Sequence, residues 1–479
     1  MSDQKRQHPV MIILEMIKNF MYGLPTLFFF TLAIAEDIRS TDITLFLWIL
    51  IIFTIAFFAY SVLKWYLYTY MYEDGYLHIK RGLIFKTERS IKRERVQTVN
   101  IRSGLLQRLL GVATIQIETA GGGVESEIIL SAVKVEETHR IKSYLENYEP
   151  HVTHDNHEEG LESEYEKTAT YVVPLRDMFL AGATSGRFML LFSLIAAVFS
   201  QFYPYIPENF MTFLIEQIIP ASDTDILLIL TVLLLLLFLS WIISILAFMV
   251  QYADFTILRQ DDYLHVSWGM IEQKQFSLTK DRVQALSVKE GLLRQPFGLC
   301  ALTSEVAGGG FKEQNYITII CPILHKSKVN AFMEKLLPEY RIPKSLEPLP
   351  SRARKRYLFR ALAFVLILVI PLQTVPYGWL SFMLLLPAFL LGLSRYRTGG
   401  IDITGKQLTF QFRNINRYQI LMIQNHVQSL EISSNPFQRR SDLSTVKASV
   451  LSSPSGKNFK VADVDSMEIR KIWEWFSRS

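Results

Sequence analysis

The sequence predicts a multi-pass α-helical membrane protein that carries three copies of a small β-rich module, each capped by a C-terminal helix. Three observations predict this class: apolar runs long enough to cross a bilayer, an internal repeat without gaps, and strand-like alternation followed by an amphipathic helix. The 479 residues correspond to about three units of ~150 residues. Because uncharged runs lie beside segments rich in Lys, Arg and Glu, a wholly soluble chain and a disordered chain are both excluded.

The apolar runs come in three pairs, which predict three transmembrane hairpins. The runs are 20–35 with 43–63, 188–207 with 226–253, and two short segments within 361–394 that a turn at 373–379 separates. Lys and Arg collect at the outer ends of each pair, whereas the short connecting loops hold only Arg39. Basic flanks stay on the cytoplasmic side. We therefore expect six helices in the cell membrane, with both termini and all three modules cytoplasmic.

Self-comparison reveals the repeat. Two stretches recur later in the chain at one common offset: Tyr76–Ile84 as Tyr263–Ile271, and Arg95–Leu106 as Arg282–Leu293. A weaker third copy follows near the C-terminus, with Leu408 opposite Leu77 and His426 opposite Arg95. Period-2 alternation in each copy predicts short antiparallel strands. A small barrel or sandwich is the simplest closure for each copy.

Each copy ends in a predicted amphipathic helix whose apolar side chains face the core. Those side chains are Ile141, Tyr144, Leu145 and Tyr148, then Val329, Phe332, Met333 and Leu336, then Ile469, Ile472, Trp473 and Phe476. The resulting division is a first hairpin (1–67), module 1 (68–149), an acidic linker and juxtamembrane segment (150–187), a second hairpin (188–253), module 2 (254–340), a basic juxtamembrane linker (341–360), a third hairpin (361–395) and module 3 (396–479).

The order of motifs resembles a known family. A two-helix hairpin, strands with G-[LM]-I, then R-V-Q-x-[VL] and G-L-L-x-x-x-x-G resemble bacterial pleckstrin-homology-like (PH-like) domains of the second type. Three such copies resemble the longer of the YdbS/YdbT-type membrane proteins. The third copy departs from the pattern, because His426, Asn435 and Asp442 replace Arg95, Gly104 and Gly111. The resemblance implies a PH-like fold, no catalysis, and a smaller membrane protein with one such domain as partner.

A basic run in module 1 is the candidate contact for anionic lipid or a protein partner. Its members are Lys80, Arg81, Lys86, Arg89, Lys92 and Arg93. Each basic residue beside an anionic leaflet can contribute ~1 kcal/mol. A solvated face is the alternative interpretation.

The repeated R-V-Q motif supplies a second candidate set. Its members are Arg95, Gln97, Arg282, Gln284 and Gln428. Arg and Gln two positions apart on a strand share a face, which fits either a hydrogen-bonding pair that fixes a bend or a phosphate or partner contact. We favour the structural role, with the intervening Val96, Val283 and Val427 in the core.

Other candidates favour plain structural interpretations. Cys300 and Cys321 are expected to be buried thiols without a disulfide or metal. The glycine triplets 121–123 and 308–310 predict hairpin turns, and the His-containing stretch 151–157 predicts a linker. Since no hydrolase, metalloprotease or P-loop motif occurs in the sequence, no enzymatic activity and no cofactor are expected.

Two functions remain open. The first is a non-enzymatic membrane scaffold in cell-envelope homeostasis, whose three modules bind protein partners or membrane lipids. The alternative is a lipid-handling or permeation protein with a groove between six helices. The net charge of +5 is too mild to indicate nucleic acid. The spans contain no charged side chain, which argues against a proton-coupled carrier.

Overall fold

The computed structural model describes residues 4–35, 43–83, 85–119, 127–146, 168–202, 225–260, 262–306, 317–452 and 456–477. The chain forms two compact units. Unit 1 comprises Met1–Tyr165 with Ile271–Leu278, and unit 2 comprises Glu166–Met270 with Thr279–Ser479. The predicted glycine-rich turns at 121–123 and 308–310 and the stretch 151–157 lie outside the described residues.

The described residues of the first third of the chain form four α-helices and seven strands. The helices are α1 Val10–Ala35, α2 Ile43–Leu67, α3 Leu105–Leu109 and α4 Val135–Glu146. The strands are β1 Lys5–Arg6, β2 Thr69–Glu73, β3 Tyr76–Arg81, β4 Thr87–Lys92, β5 Val96–Ser103, β6 Val112–Thr119 and β7 Glu127–Lys134.

The remainder provides the other helices and strands. The helices are α5 Leu175–Ala183, α6 Arg187–Phe202, α7 Asp225–Gln251, α8 Val329–Leu336, α9 Arg354–Leu372, α10 Leu385–Thr398, α11 Pro436–Arg439 and α12 Ser466–Ser477. The strands are β8 Thr168–Val172, β9 Thr256–Gln260, β10 Tyr263–Trp268, β11 Gln273–Thr279, β12 Val283–Glu290, β13 Leu299–Val306, β14 Ile317–His325, β15 Glu347–Pro348, β16 Gly400–Thr404, β17 Gln407–Arg413, β18 Arg417–Ile423, β19 Val427–Ser433, β20 Leu443–Val450 and β21 Lys457–Asp465.

Unit 1 contains module 1 as two antiparallel layers. One sheet has the order β1-β2-β3-β4, and in the other β5 pairs with β6 and β6 with β7. The free side of β5 is occupied by β11, a strand that belongs to the second repeat by sequence. Alternating side chains of both layers, among them Leu77 and Ile115, are fully buried between them, and Ile141 of α4 is buried in the same core.

Unit 2 contains the corresponding layers of the later repeats. β8, β9 and β10 form consecutive antiparallel pairs. A seven-stranded sheet has the order β14-β13-β12-β18-β17-β16-β15, so a strand of the third repeat again pairs with the preceding repeat. β19, β20 and β21 form a separate three-stranded sheet. This architecture confirms that the chain contains three β-rich modules.

A short strand from before each hairpin joins each module, a feature that the sequence did not reveal. β1 pairs with β2, β8 with β9, and β15 with β16. Each hairpin is thus inserted after the first strand of its module. The segments predicted as linkers, 150–187 and 341–360, contribute β8 with α5 and β15 respectively. Such short strands carry too weak a period to be detected.

The closing helices confirm most of the predicted core positions. All four apolar residues of α8 are buried, as are Ile141, Leu145, Ile469 and Ile472, whereas Tyr148 lies outside the described residues. Trp473 was predicted wrongly, because 51% of its surface is exposed. Trp475 packs against the core instead, and its indole Nε1 donates to the carbonyl of Gly405 at 2.9 Å. A tryptophan at either position fits the apolar stripe of the helix. The turn between β16 and β17, which contains Gly405, selects Trp475.

The membrane helices support the multi-pass prediction only in part. Two described helical spans, Leu230–Gln251 and Gly378–Thr398, are long and apolar enough to cross a bilayer. A bent pair, Leu175–Ala183 with Arg187–Val198, would provide a third span with a 56° break. The prediction of six spans is therefore not reached among the described residues. In the third hairpin, the first turns of α9, residues 354–360, are rich in basic residues, so only the second half of this helix is apolar.

The third hairpin nevertheless turns where the sequence predicts. α9 ends at Leu372 and a 3₁₀ helix, Gly378–Leu384, leads into α10. A Cβ at Gly392 would come within 3.0 Å of Ala361 and 3.1 Å of the carbonyl of Tyr357. The glycine therefore permits close approach of α10 to α9.

Candidate anionic-ligand site

The R-V-Q motif forms the same local structure in all three repeats. Arg95, Arg282 and His426 each end a 3₁₀ turn. The first residue of each turn donates its N–H to a carbonyl in the turn between two earlier strands, at 2.8–2.9 Å: Arg93 to Gly75, Lys280 to Asp262 and Gln424 to Lys406. The following valine starts a strand, and the glutamine after it is skipped in the register with the next strand. Such a skipped residue is a β-bulge.

This geometry corrects one inference about the motif. Arg95 and Gln97 do not share a strand face, because Arg95 belongs to the turn and not to the strand. Val283 and Val427 are buried as predicted, whereas Val96 is half-buried against the core. Gln284 donates to the carbonyl of Asp281 at 3.4 Å, and Gln428 is exposed. The bend-fixing role of these residues remains a prediction.

The third repeat retains the turn geometry despite its substitutions. Asn435 caps α11 by accepting from the N–H of Gln438 at 2.7 Å, at the position where Gly104 caps α3. Asp442 adopts φ 48°, and its counterpart Gly111 adopts φ 65°. Asn is a preferred helix cap and Asp tolerates the left-handed region. The motif therefore diverges in residues while the backbone is preserved.

The basic run of module 1 does not form one cluster. Antiparallel pairing places Lys80 opposite Glu88, with an ion pair at 3.0 Å, and these side chains lie on the outer face. Arg81 and Arg89 point to the opposite face, where Leu77 and Ile79 are buried.

The remaining three residues of the run are also spread apart. Lys92 lies 5.8 Å from the centre of the Tyr76 ring on the outer face. Lys86 is exposed in the loop between β3 and β4, and Arg93 begins the 3₁₀ turn. Although Arg81 lines a cleft of 420 Å³ with Lys18 and Lys64 beside the first hairpin, the run as a whole offers no convergent site.

Unit 2 contains a basic cleft that the sequence did not reveal. Its volume is 580 Å³, within the range of ligand pockets. Its walls come from β12, β13, β17, β18, β21 and the bases of α9 and α10. Six basic side chains line it: Lys289, Arg360, Arg395, Arg413, Lys457 and Lys460. Of the described residues in its lining, Glu305 is the acidic one.

Two of the cations that line the cleft are held by hydrogen bonds to neighbouring residues. Arg395 Nε donates to the carbonyl of Asn414 at 2.9 Å, and Arg413 Nη2 donates to Gln295 Oε1 at 2.7 Å. Arg413 Nε is buried without a hydrogen-bond partner among the described residues. Burial, reinforced by Arg417, lowers the pKa of Arg413, although arginine remains protonated. A bound anion would accept a hydrogen bond from this Nε and would offset the burial of the Arg413 charge.

A buried carboxylate ties the cleft to the third hairpin. Asp463 is 1% exposed and forms ion pairs with Arg356, at 3.8 Å, and with Arg360. Its Oδ1 also accepts from Gln438 Nε2 at 2.9 Å. Asp463 lies on β21 and both arginines lie at the start of α9, so module 3 is fixed to the base of its hairpin.

Glu305 is the other buried acid near the cleft. It is 4% exposed, and its Oε2 accepts from Ser452 Oγ at 3.2 Å. Burial raises the pKa of this carboxyl, while Lys457 and the Ser452 hydrogen bond oppose the shift.

The thiols and the described potential metal ligands provide no further site. Cys300 and Cys321 are fully buried free thiols, as predicted, and burial raises the pKa of each to about 12. No group of three or more His, Cys, Asp or Glu in the described part of the chain could hold a metal ion.

The fold and the site together define a membrane protein with tandem PH-like modules attached to helical hairpins. The profile of the family "Bacterial PH domain" matches residues 24–149, 212–339 and 358–479, and the chain belongs to this family. The chain is 33% identical to the transmembrane protein YdbT of Bacillus subtilis (strain 168), over all of this chain and 99% of that protein. No solved structure matches.

Proposed function

We propose that the protein is a non-enzymatic scaffold of the cell membrane whose modules bind anionic lipid headgroups and protein partners on the cytoplasmic side. The observation that supports this proposal best is the basic cleft of unit 2, because Arg360 and Arg395 bring it to the base of the third hairpin. A phosphate there would meet several cations in a half-enclosed site, where ion pairs are screened less than on an open surface.

Exposed apolar loops support contact with the membrane surface. Leu83 and Phe85 follow β3 and are 42% and 85% exposed, beside the first hairpin. In the third repeat, Ile415 is 60% exposed in the loop whose Asn414 accepts from Arg395. Large apolar side chains flanked by basic residues suit the boundary between headgroups and acyl chains.

The alternative of a permeation groove has less support. Ser240 and Ser244 are polar residues of the second hairpin that could have lined such a groove. Both are buried, with Ser240 Oγ donating to the carbonyl of Leu237 at 2.8 Å and Ser244 Oγ lying 3.4 Å from Ser185 Oγ. Their hydroxyls serve helix packing.

The test is anionic-lipid retention by the purified full-length chain. Lys457 and Lys460 are exposed, so Lys457→Gln with Lys460→Gln removes cleft charge at little cost in stability. We expect this variant to retain about thirtyfold less phosphatidylglycerol, measured by native mass spectrometry, because two charges at ~1 kcal/mol each amount to ~2 kcal/mol. The matched control is Lys80→Gln with Lys92→Gln, which removes two charges from the scattered run of module 1.

Equal loss from both variants would contradict a cleft-specific site. Two further arms identify the ligand. In nanodiscs of phosphatidylcholine alone, no lipid should be retained in the cleft. Soluble glycerol phosphate should displace phosphatidylglycerol from the cleft only if the headgroup is sufficient for binding without its acyl chains. For the protein partner, we propose a smaller membrane protein with one PH-like domain, to be sought by pull-down from native membranes.

A further inference from the structure

The repeats are joined by strand pairing with a constant register. In unit 1, Asn100 of β5 lies opposite Phe276 of β11. In unit 2, Ser287 of β12 lies opposite Ile420 of β18. When the repeats are aligned, Ser287 is the counterpart of Asn100, and Ile420 is the counterpart of Phe276. Both junctions therefore use the same strands of the repeat in the same register.

Each of the two strand types that form the junctions has one further copy that lies at the edge of a sheet. β19 is the third-repeat counterpart of β5 and β12, and it ends the three-stranded sheet. β4 is the first-repeat counterpart of β11 and β18, and it ends the sheet of module 1. Among the described residues no strand pairs with the outer side of either one. An edge strand presents unpaired N–H and C=O groups that can accept another strand.

Burial at equivalent positions shows what the missing neighbour covers. Ile101 on β5 is 6% exposed and Val288 on β12 is 1% exposed, whereas Ile432 on β19 is 37% exposed. On the other strand type, Phe276 and Ile420 are each 1% exposed, whereas Arg89 on β4 is partly exposed. The same positions are thus buried where a junction exists and open where it does not.

We propose that β19 of one molecule pairs antiparallel with β4 of a second copy of this chain, in the register of the two internal junctions. That register places Glu431 opposite Arg89. Opposite charges facing each other across a ladder are favourable, and a slip of one residue would place Glu431 opposite Glu88. The charges on both edges therefore select the register as well as discourage indiscriminate pairing.

This contact is heterologous, because the two surfaces differ. Each added molecule again presents one β4 and one β19, so repetition gives a closed ring or an open row of molecules in the membrane. The proposal does not depend on the lipid site, since neither edge strand contributes a side chain to the lining of that cleft.

Cysteine cross-linking in native membranes tests the register. Two differently tagged full-length chains are coexpressed, one with Glu431→Cys and the other with Arg89→Cys. Directly opposite residues have Cα atoms ~4.5–5.5 Å apart, within the range of a disulfide. The native thiols are buried and do not compete. We expect a mixed covalent dimer, with a much lower yield when Thr87→Cys, two positions along the same face, replaces Arg89→Cys.

Charge exchange supplies an independent arm. Glu431→Arg should reduce the dimer fraction about three- to tenfold, and Arg89→Glu in the partner chain should restore it. The control is Glu468→Arg, which breaks another exposed ion pair, that of Glu468 with Lys471 at 2.6 Å, away from the edge. Rescue by exchange separates pairing from a folding defect, because Glu431 also bonds Lys447 at 2.8 Å within its own sheet.

Three outcomes would overturn the proposal. The first is the absence of a mixed dimer under oxidation, and the second is an equal yield of mixed dimer when Thr87→Cys replaces Arg89→Cys. The third is capture by Glu431→Cys of a different membrane protein in place of the second copy, which would assign the edge to that partner.

Discussion

The first and third repeats both place basic side chains beside a membrane hairpin, but the charges are arranged differently. In the first repeat the basic run follows two paired strands, so period-2 alternation sends neighbouring cations to opposite faces. In unit 2 the cations come from separate strands and from helix ends, and they converge on one cleft. A dense run in the sequence is therefore a poor guide to a concentrated field, whereas residues far apart in the chain can produce one.

Substitution of Asp463, the buried acid of the third repeat, should give the largest loss of stability and the clearest difference between the first and third repeats. Asp463→Asn leaves Arg356 and Arg360 without their carboxylate and should cost about 3 kcal/mol, the lower end for breaking a buried pair, because both arginines are partly exposed. Hydrogen–deuterium exchange of β20 and β21 would measure it as faster local opening.

The matched change in the first repeat is Glu88→Gln, which breaks the exposed pair with Lys80. We expect less than about 1 kcal/mol there. Equal acceleration of hydrogen exchange by Asp463→Asn and Glu88→Gln would contradict the difference between the fixed charges of the third repeat and the scattered charges of the first.

The second prediction uses pH to probe the cleft. Because burial raises the pKa of Glu305, its folded form holds a proton more tightly than its unfolded form, so ionisation reduces stability as pH rises above ~4.3, the ordinary value. Glu305→Gln should raise the apparent melting temperature by about 2–4 °C at pH 7. The gain should disappear near pH 4, where the carboxyl is protonated in the folded state and largely so in the unfolded state.

An unchanged gain at pH 4 would assign the effect to packing rather than to charge.

The smallest expected effects concern the repeated arginine. Arg95 is exposed, so Arg95→Ala should change stability by less than about 0.5 kcal/mol. Arg282 is half-buried at the equivalent position, and Arg282→Ala should cost about 1 kcal/mol. Thermal unfolding of the full chain in detergent compares them. A stable Arg95→Ala protein that no longer binds its partner would show that the motif is a recognition surface.

The sequence predicted much of the fold because its signals are local or repeated. The ungapped repeat, the strand alternation and the closing helices each depend on neighbouring residues, and the structure forms antiparallel strands in each copy and places α4, α8 and α12 at the expected closing helices. Local signals failed where tertiary contacts decide. Trp473 and Trp475 both suit the helical stripe, and the choice between them depends on a carbonyl far away in the chain, at Gly405.

The sequence by itself determined three PH-like modules, their attachment to apolar hairpins and the identity of the buried thiols, because composition, periodicity and repetition are properties of the chain alone. Only the tertiary structure decided that a strand from before each hairpin completes its module, that consecutive repeats share strands at two junctions, and that six cations converge beside the third hairpin. Those features join residues that are distant in the chain, and their formation depends on backbone hydrogen bonding and burial, which no local pattern encodes.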